Sequence, residues 1–294
     1  MGVKKITVIG LGLLGASLCM ALRGRRDIRR IGWARRPEIR HQALALDVAD
    51  EAPETVEEAV ADADLTVFAL PIPRIVEFME RYAACWKKSA LVTDMGSVKG
   101  VIHAAAEKFL VPRGVIFAGS HPMAGTEKSG FENAFPTLYQ GADVFIVPSS
   151  NSTEAHLKML EEFWHSLSTR TVRTTPEEHD DLVAHTSHVL HVVASALALT
   201  ILSGADEREK ALRFAGCATG FRDTSRIASS NPAMWREIIE NNTPANLRAL
   251  ENFERELRRL REMIAAGDYD GFEREFAKGK RLRDSWLEYK ARNH

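Results

Sequence analysis

Seven short runs of β-branched and aliphatic residues punctuate the first 175 positions, and the pattern stops there. The runs are "KKITVI" (4–9), "IRRIGWA" (28–34), "DLTVFALP" (64–71), "ALVTDMG" (90–96), "VIFAG" (115–119), "DVFIVPS" (143–149) and "RTVRTT" (170–175). Most are continuously apolar rather than alternating, as expected of strands buried on both faces. Helical spacing separates several of them, as in "ASLCMALR" (16–23) and "PRIVEFMERYAACW" (73–86). Strands alternating with helices predict a mostly parallel sheet covered on both sides, an α/β fold of Rossmann type.

The texture changes at Pro176. "PEEHDDLVAHTSHVLHVVASALALTIL" (176–202) predicts a long helix with proline at its start, where proline is tolerated. Its stretch from about 180 to 203 is apolar nearly all round, which predicts burial. "TPANLRALENFERELRRLREMIAAG" (243–267) carries a helical apolar stripe, with Thr243 as the expected N-cap and Gly267 as the stop. A last helix is expected over about 270–290. The predicted organisation is a dinucleotide-binding domain over 1–175 and an all-helical domain over 176–294, the latter burying its apolar helix by forming a homodimer.

Composition narrows the function classes. The chain has 294 residues, 45% hydrophobic and 27% charged, with a net charge of -1. These values fit a globular protein with a sizeable core and give no global attraction to nucleic acid or an anionic membrane. No stretch is expected to be long and apolar enough to cross a bilayer. Three cysteines without metal-like spacing point to free thiols in a reducing compartment. The basic and apolar N-terminus imitates a secretory signal, but glycines interrupt the run and no A-x-A site follows. Ile6 also breaks a myristoylation motif. A cytoplasmic location is expected.

The interrupting glycines form "GLGLLG" (10–15), placed between a strand and a helix. Gly10 suits a tight turn, Gly12 a close approach to a pyrophosphate, and Gly15 close packing of helix on strand. The amides around Leu13 and Leu14 open the helix and favour an anion there. After the second strand an NAD enzyme usually carries an acid for the ribose hydroxyls. Here Ala34 stands in that place and Arg35 and Arg36 follow. Two guanidiniums suit a 2′-phosphate, so NADP is expected over NAD.

"GLGLLG", "DMGSVKG" (94–100), "GSHPMAGTEKSG" (119–130), "TSHVLH" (186–191) and "GFRDTSRIASSNPAMW" (220–235) occur in this order. Together they resemble the TyrA family, the prephenate and arogenate dehydrogenases of tyrosine biosynthesis, over about residues 4–240. The resemblance implies a Rossmann domain, a helical dimerisation domain and a substrate cleft between them. It implies oxidative decarboxylation of prephenate, or of arogenate, with hydride passing to NAD(P). His121, expected in a loop after the fifth strand, takes the role of general base. Ser97 orients the substrate hydroxyl and His121; read alone, Ser97 is equally a helix N-cap. Arg226 is matched to a substrate carboxylate, with Arg222 the weaker candidate. Trp235, Thr126 and Glu127 are matched to the substrate pocket.

His185, His188 and His191 step round one helix face. No metal site is expected, because no carboxylate or cysteine completes a ligand set. Leu190 stands where the family usually has proline, and Thr219 where it commonly has glycine. Of the helix histidines, His191 is favoured over His188 for substrate. Two other readings compete. A β-hydroxyacid dehydrogenase shares the layout but relies on a lysine in its helical domain. A non-catalytic NADP sensor accounts for the glycine turn but not for His121, Ser97 and Arg226 together.

Overall fold

The computed structural model describes residues 2–126 and 128–293. They group into two compact units, Met1–Thr243 and Pro244–His294. The first unit is built on one seven-stranded sheet of β1 (Lys5–Ile9), β2 (Arg29–Trp33), β3 (Leu65–Phe68), β4 (Leu91–Asp94), β5 (Ile116–Pro122), β6 (Asp143–Pro148) and β7 (Arg170–Arg173), in the order β2-β1-β3-β4-β5-β6-β7. The first five strands of that order are parallel; β6 runs antiparallel to β5, and β7 parallel to β6. All seven expected strands are present.

The helices of the sheet layer are α1 (Leu13–Ala21), α2 (Pro37–Ala45), α3 (Val56–Val60), α4 (Ile72–Tyr82), α5 (Gly100–Phe109) and α6 (Glu154–His165). Two apolar clusters fill the space between helices and sheet. One joins Ile6, Val8, Leu18 and Trp164, and the other Ile9, Phe68, Ile75 and Phe117. The alternating β1 residues Val8 and Ile9 thus serve opposite faces, as the pleat requires. Strand order reverses between β1 and β3, and open parallel sheets bind ligands outside the strand carboxyl ends at such a switch point. The glycine turn leaves β1 at that point.

Everything after β7 is helical, as expected. α7 (Pro176–Val183), a π-helical turn (Ala184–His188) and α8 (Val189–Leu202) run on from one another. Thr175 caps α7 by accepting the Glu178 amide at 3.2 Å, with Pro176 in the first turn. Then follow α9 (Glu207–Gly216), α10 (Thr219–Ser225) and α11 (Pro232–Asn241). One expectation fails here. The run Pro176–Leu202 is one 27-residue helical stretch, long and apolar enough by length and composition to cross a membrane. Within the single chain its second half, α8, is exposed: only Ala194 is buried there, and Leu199 is 67% exposed. The N-terminal end of the run is tied by Asp180 to the start of α5 through the Lys99 and Gly100 amides.

The second unit is a helical pair, α12 (Thr243–Ala266) and α13 (Tyr269–Asn293). Gly267, at φ +70°, ends α12 as expected, and Arg259 pairs with Glu275 at 2.6 Å. Thr243 is not the cap. It is already helical, and its hydroxyl donates back to the Ile239 carbonyl at 2.9 Å.

Candidate active site

The cofactor turn has the stereochemistry its glycines imply. Gly10 has φ +106°, and a Cβ there would lie 2.3 Å from the Ala69 carbonyl oxygen. A Cβ on Gly15 would lie 1.9 Å from the Gly10 oxygen. Gly12 is different: nothing stands within 4 Å of where its Cβ would be. That open space, beside the first amides of α1, is what a pyrophosphate needs. Gly12 is the N-cap of α1, Leu13 and Leu14 form its first turn, and no acidic residue repels an anion there. The Gly10 amide donates to the Trp33 carbonyl at 2.9 Å, which sets the end of β2 beside the turn. β2 ends at Trp33 and Ala34 is buried, with Arg35 and Arg36 exposed after it. Arg40 donates to the Ala34 carbonyl at 2.7 Å, bracing the arginine pair in a way the sequence reading missed.

His121 is not in a loop. It lies in β5, paired across to Phe145 of β6, and is only 8% exposed. The strand runs on past "VIFAG" because antiparallel β6 pairs with residues 118–122, a long-range partner that local periodicity does not reveal. Its Nδ1 lies 2.8 Å from Nε2 of His179. Nδ1 of His179 lies 2.8 Å from Oδ1 of Asp180. Asp180 Oδ1 accepts the Lys99 amide at 2.7 Å, and Oδ2 accepts the Gly100 amide at 2.8 Å. No hydrogen bond reaches Nε2 of His121 among the described residues. Burial holds His121 well below the usual histidine range, and His179, Lys99 and His188 act in the same direction. It is therefore a neutral imidazole at physiological pH.

The connection from β4 to α5 explains that surrounding. Lys99 and Asp94 form an ion pair with both side chains 0% exposed. The Lys99 ammonium also donates to the Ser120 carbonyl at 2.9 Å, and the Ser120 hydroxyl is held by Thr93 at 2.7 Å and Trp164 at 3.0 Å. The peptide next to His121 is thus fixed from several directions. Ser97 stands half-buried in the bend after β4. It is not the cap of α5: that helix starts at Gly100, Lys99 is its N-cap, and the Asp180 carboxylate takes the amides a capping side chain would take. His179 and Asp180 escaped the sequence reading because "EEHDD" resembles an ordinary acidic first turn.

The helical part brings most of the remaining expected residues together. His188, in the π turn, is buried and edge-on to Trp235, with ring centroids 5.7 Å apart. His191 stacks on the same indole at 3.8 Å and 28°. Its Nδ1 donates to the Ser187 carbonyl at 3.0 Å. Burial, against that hydrogen bond and together with the Arg226 charge, holds His191 below its ordinary value, which places Arg226 in its vicinity. The Trp235 indole N–H is buried without an acceptor among the described residues. Arg222 pairs with Asp223 at 3.0 Å on the surface. Thr219 opens α10, and Leu190 is exposed. Thr126 is exposed and accepts the Lys128 amide at 3.2 Å; Glu127 lies outside the described residues. No group of three metal-ligating side chains occurs among the described residues.

A dinucleotide turn at the switch point of a parallel sheet, with a neutral imidazole on a strand of that same sheet, defines a nicotinamide-dependent dehydrogenase of Rossmann type. Residues 19–173 match the family described as prephenate dehydrogenase, nucleotide-binding domain. Residues 175–278 match prephenate dehydrogenase, dimerization domain. The chain belongs to the prephenate dehydrogenase family and is an NAD(P)-dependent oxidoreductase.

It is 31% identical to a cyclohexadienyl dehydrogenase of Zymomonas mobilis over 281 residues, which cover 95% of each protein. Among solved structures it is similar to Aquifex aeolicus prephenate dehydrogenase in complex with hydroxyphenyl propionate and NAD+, with a TM-score of 0.88, 30% identity and coverage of 98% and 99%. It is also similar to Synechocystis arogenate dehydrogenase, with a TM-score of 0.84, 29% identity and coverage of 96% and 99%.

Proposed function

We propose that this chain converts prephenate to 4-hydroxyphenylpyruvate and carbon dioxide in tyrosine biosynthesis, with NADP the favoured acceptor and His121 the general base. The observation that carries the reading is His121 itself: neutral, buried, engaged at one ring nitrogen and open at the other. The nicotinamide, when bound, supplies the acceptor for the hydride on C4. Gly12, Leu13 and Leu14 would receive the pyrophosphate, and Arg35 and Arg36 the 2′-phosphate.

His121 accepts the proton of the C4 hydroxyl as that carbon is oxidised. Loss of the ring carboxylate as carbon dioxide leaves its electron pair in the ring, which becomes aromatic. The phenolate oxygen then takes the proton back from His121, so the overall reaction releases none. Ser97, from the bend after β4, orients the hydroxyl. Arg226, with His191, His188 and the unpaired indole N–H of Trp235, would hold the carboxylates, and Thr126 and Glu127 would border them. Arogenate differs from prephenate only in carrying an ammonium for the keto oxygen, and the Synechocystis relative keeps it as the second reading.

Steady-state rates with prephenate and arogenate, each with NAD and NADP, test the assignment. Turnover should be highest with prephenate and NADP. His121→Asn should bind NADP as before and lose about 10²–10⁴-fold in kcat. A wild-type enzyme inert on both substrates, or a fully active His121→Asn, would sink the proposal.

The division near residue 175, the cytoplasmic location and a homodimer through the helices belong to the same reading. The two family matches meet close to residue 175. A cavity of about 550 Å³ lined by His191, Val192, Leu199, Ile227, Trp235 and Ile239 is apolar and does not include His121. Beyond its His191 and Trp235 end, the apolar stretch formed by Val192, Leu199, Ile227 and Ile239 suits a helix of a second copy better than a dianionic substrate. Sedimentation equilibrium should return twice the mass of the chain; a monomer would refute this.

A further inference from the structure

We propose that His179 and Asp180 are positioning residues that lock His121 with its proton on Nδ1, so that Nε2 alone is the base. This rests on the reading of His121 as the proton acceptor, and it assigns a task to two residues that touch neither the cofactor turn nor the Arg226 cluster.

Hydrogen-bond direction follows from the fixed end of the chain. Asp180 receives two backbone amides, from Lys99 and Gly100, which can only donate. Burial would raise its carboxyl, but the bonds from His179 and those amides hold it below the ordinary carboxylate range, so it is ionised and can only accept. The 2.8 Å contact is therefore His179 Nδ1–H donating to Asp180. Burial keeps His179 below its usual value despite Asp180, so its ring is neutral and Nε2 carries a lone pair. That lone pair faces Nδ1 of His121 at 2.8 Å, and the bond between them needs a proton from His121. Nε2 of His121 is left as an acceptor.

The opposite tautomer of His121 would set two lone pairs 2.8 Å apart. Turning the proton on His179 would instead set a lone pair against an ionised carboxylate. Both arrangements forfeit a buried hydrogen bond. The ring of His179 cannot swing away easily: its side chain is 0% exposed and Phe145 packs edge-on at 5.7 Å. Other charged or titratable groups near His121 do not compete for Nδ1. The Lys99 ammonium is held by Asp94 and the Ser120 carbonyl, and His188 stands against Trp235. The proton cycle of the reaction fits this lock. Nε2 receives a proton and returns it, and Nδ1 keeps its own throughout.

Long-range ¹H–¹⁵N correlation spectra of histidine-labelled enzyme, with residue 121 assigned through His121→Asn, read the tautomer without turnover. Wild type should show a pyridine-like Nε2 and a pyrrole-like Nδ1 at His121. His179→Phe, which deletes the acceptor, should mix or reverse the two. It should also lower kcat by about 10²–10³-fold with little change in substrate KM. His179→Gln, whose amide oxygen can stand where Nε2 stood, should recover most of that loss. NADP binding should be unchanged in both variants.

A protonated Nε2 in wild type, or wild-type kcat in His179→Phe, overturns the proposal. Should His179→Phe fail to fold, the wild-type spectrum and the His179→Gln kinetics decide. An enzyme with pyridine-like Nε2 and no turnover of either cyclohexadienyl substrate refutes the assigned reaction and leaves the tautomer standing.

Discussion

Single residues in the cofactor turn separate folding from binding. Gly12 has nothing within 4 Å of a would-be Cβ and an ordinary φ of -85°, so Gly12→Ala should leave the melting temperature unchanged. It should weaken dinucleotide binding at least about tenfold, because the methyl fills the space the pyrophosphate needs. Gly15→Ala should do the reverse of the first effect. Its methyl meets the Gly10 carbonyl oxygen at 1.9 Å, and forcing the helix off the strand should cost about 1–3 kcal/mol or more. Thermal melts and fluorescence titrations with NADP check both; equal destabilisation would show that the turn is read wrongly. The sequence located these glycines because their spacing is local. It could not show which one faces open space, since that depends on Ala69 at the end of another strand.

At the scale of elements, the β4–α5 connection sets a buried ion pair beside the strand that carries His121. Lys99 and Asp94 are both sealed from solvent, so removing one leaves an uncompensated buried charge. Lys99→Met should destabilise the fold by about 3–5 kcal/mol in urea unfolding. A loss below about 1 kcal/mol would mean that water reaches the pair. Every strand and the long helices were predictable from apolar runs and 3.6-residue spacing. The extension of β5 through His121 was not, because it is made by pairing with β6. Nor was the cap of α5, because Ser97 fits the local pattern while the carboxylate that does the work arrives from residue 180. Exposure of α8 has a related reason: the apolar surface is there, but nothing within one chain covers it.

For the whole molecule, stability should fall on acidification well before carboxylates titrate. Burial holds His103 down to about 3 and keeps His121 and His179 below their ordinary values. The unfolded chain binds protons at these sites near pH 6.5 and the folded chain does not. The difference in bound protons therefore favours unfolding as pH drops below 6.5. His103 should cost about 1 kcal/mol between pH 7 and 5.5, and His121 and His179 act in the same direction. Urea midpoints at the two values measure this; a midpoint equal or higher at pH 5.5 would contradict it.

Asp180 lies five residues beyond the last strand-forming run, yet its carboxylate closes the start of α5 and stands behind the imidazole of β5. A polypeptide severed after Thr175 would retain the glycine turn and every strand, and with them a place for the dinucleotide. Its histidine would have lost its backstop: free to take either tautomer, it would sit in a nucleotide receptor with no competent chemistry. On the roles proposed for His121, His179 and Asp180, redox capacity is created at the seam where the helical segment leans on the sheet, and neither piece owns it alone.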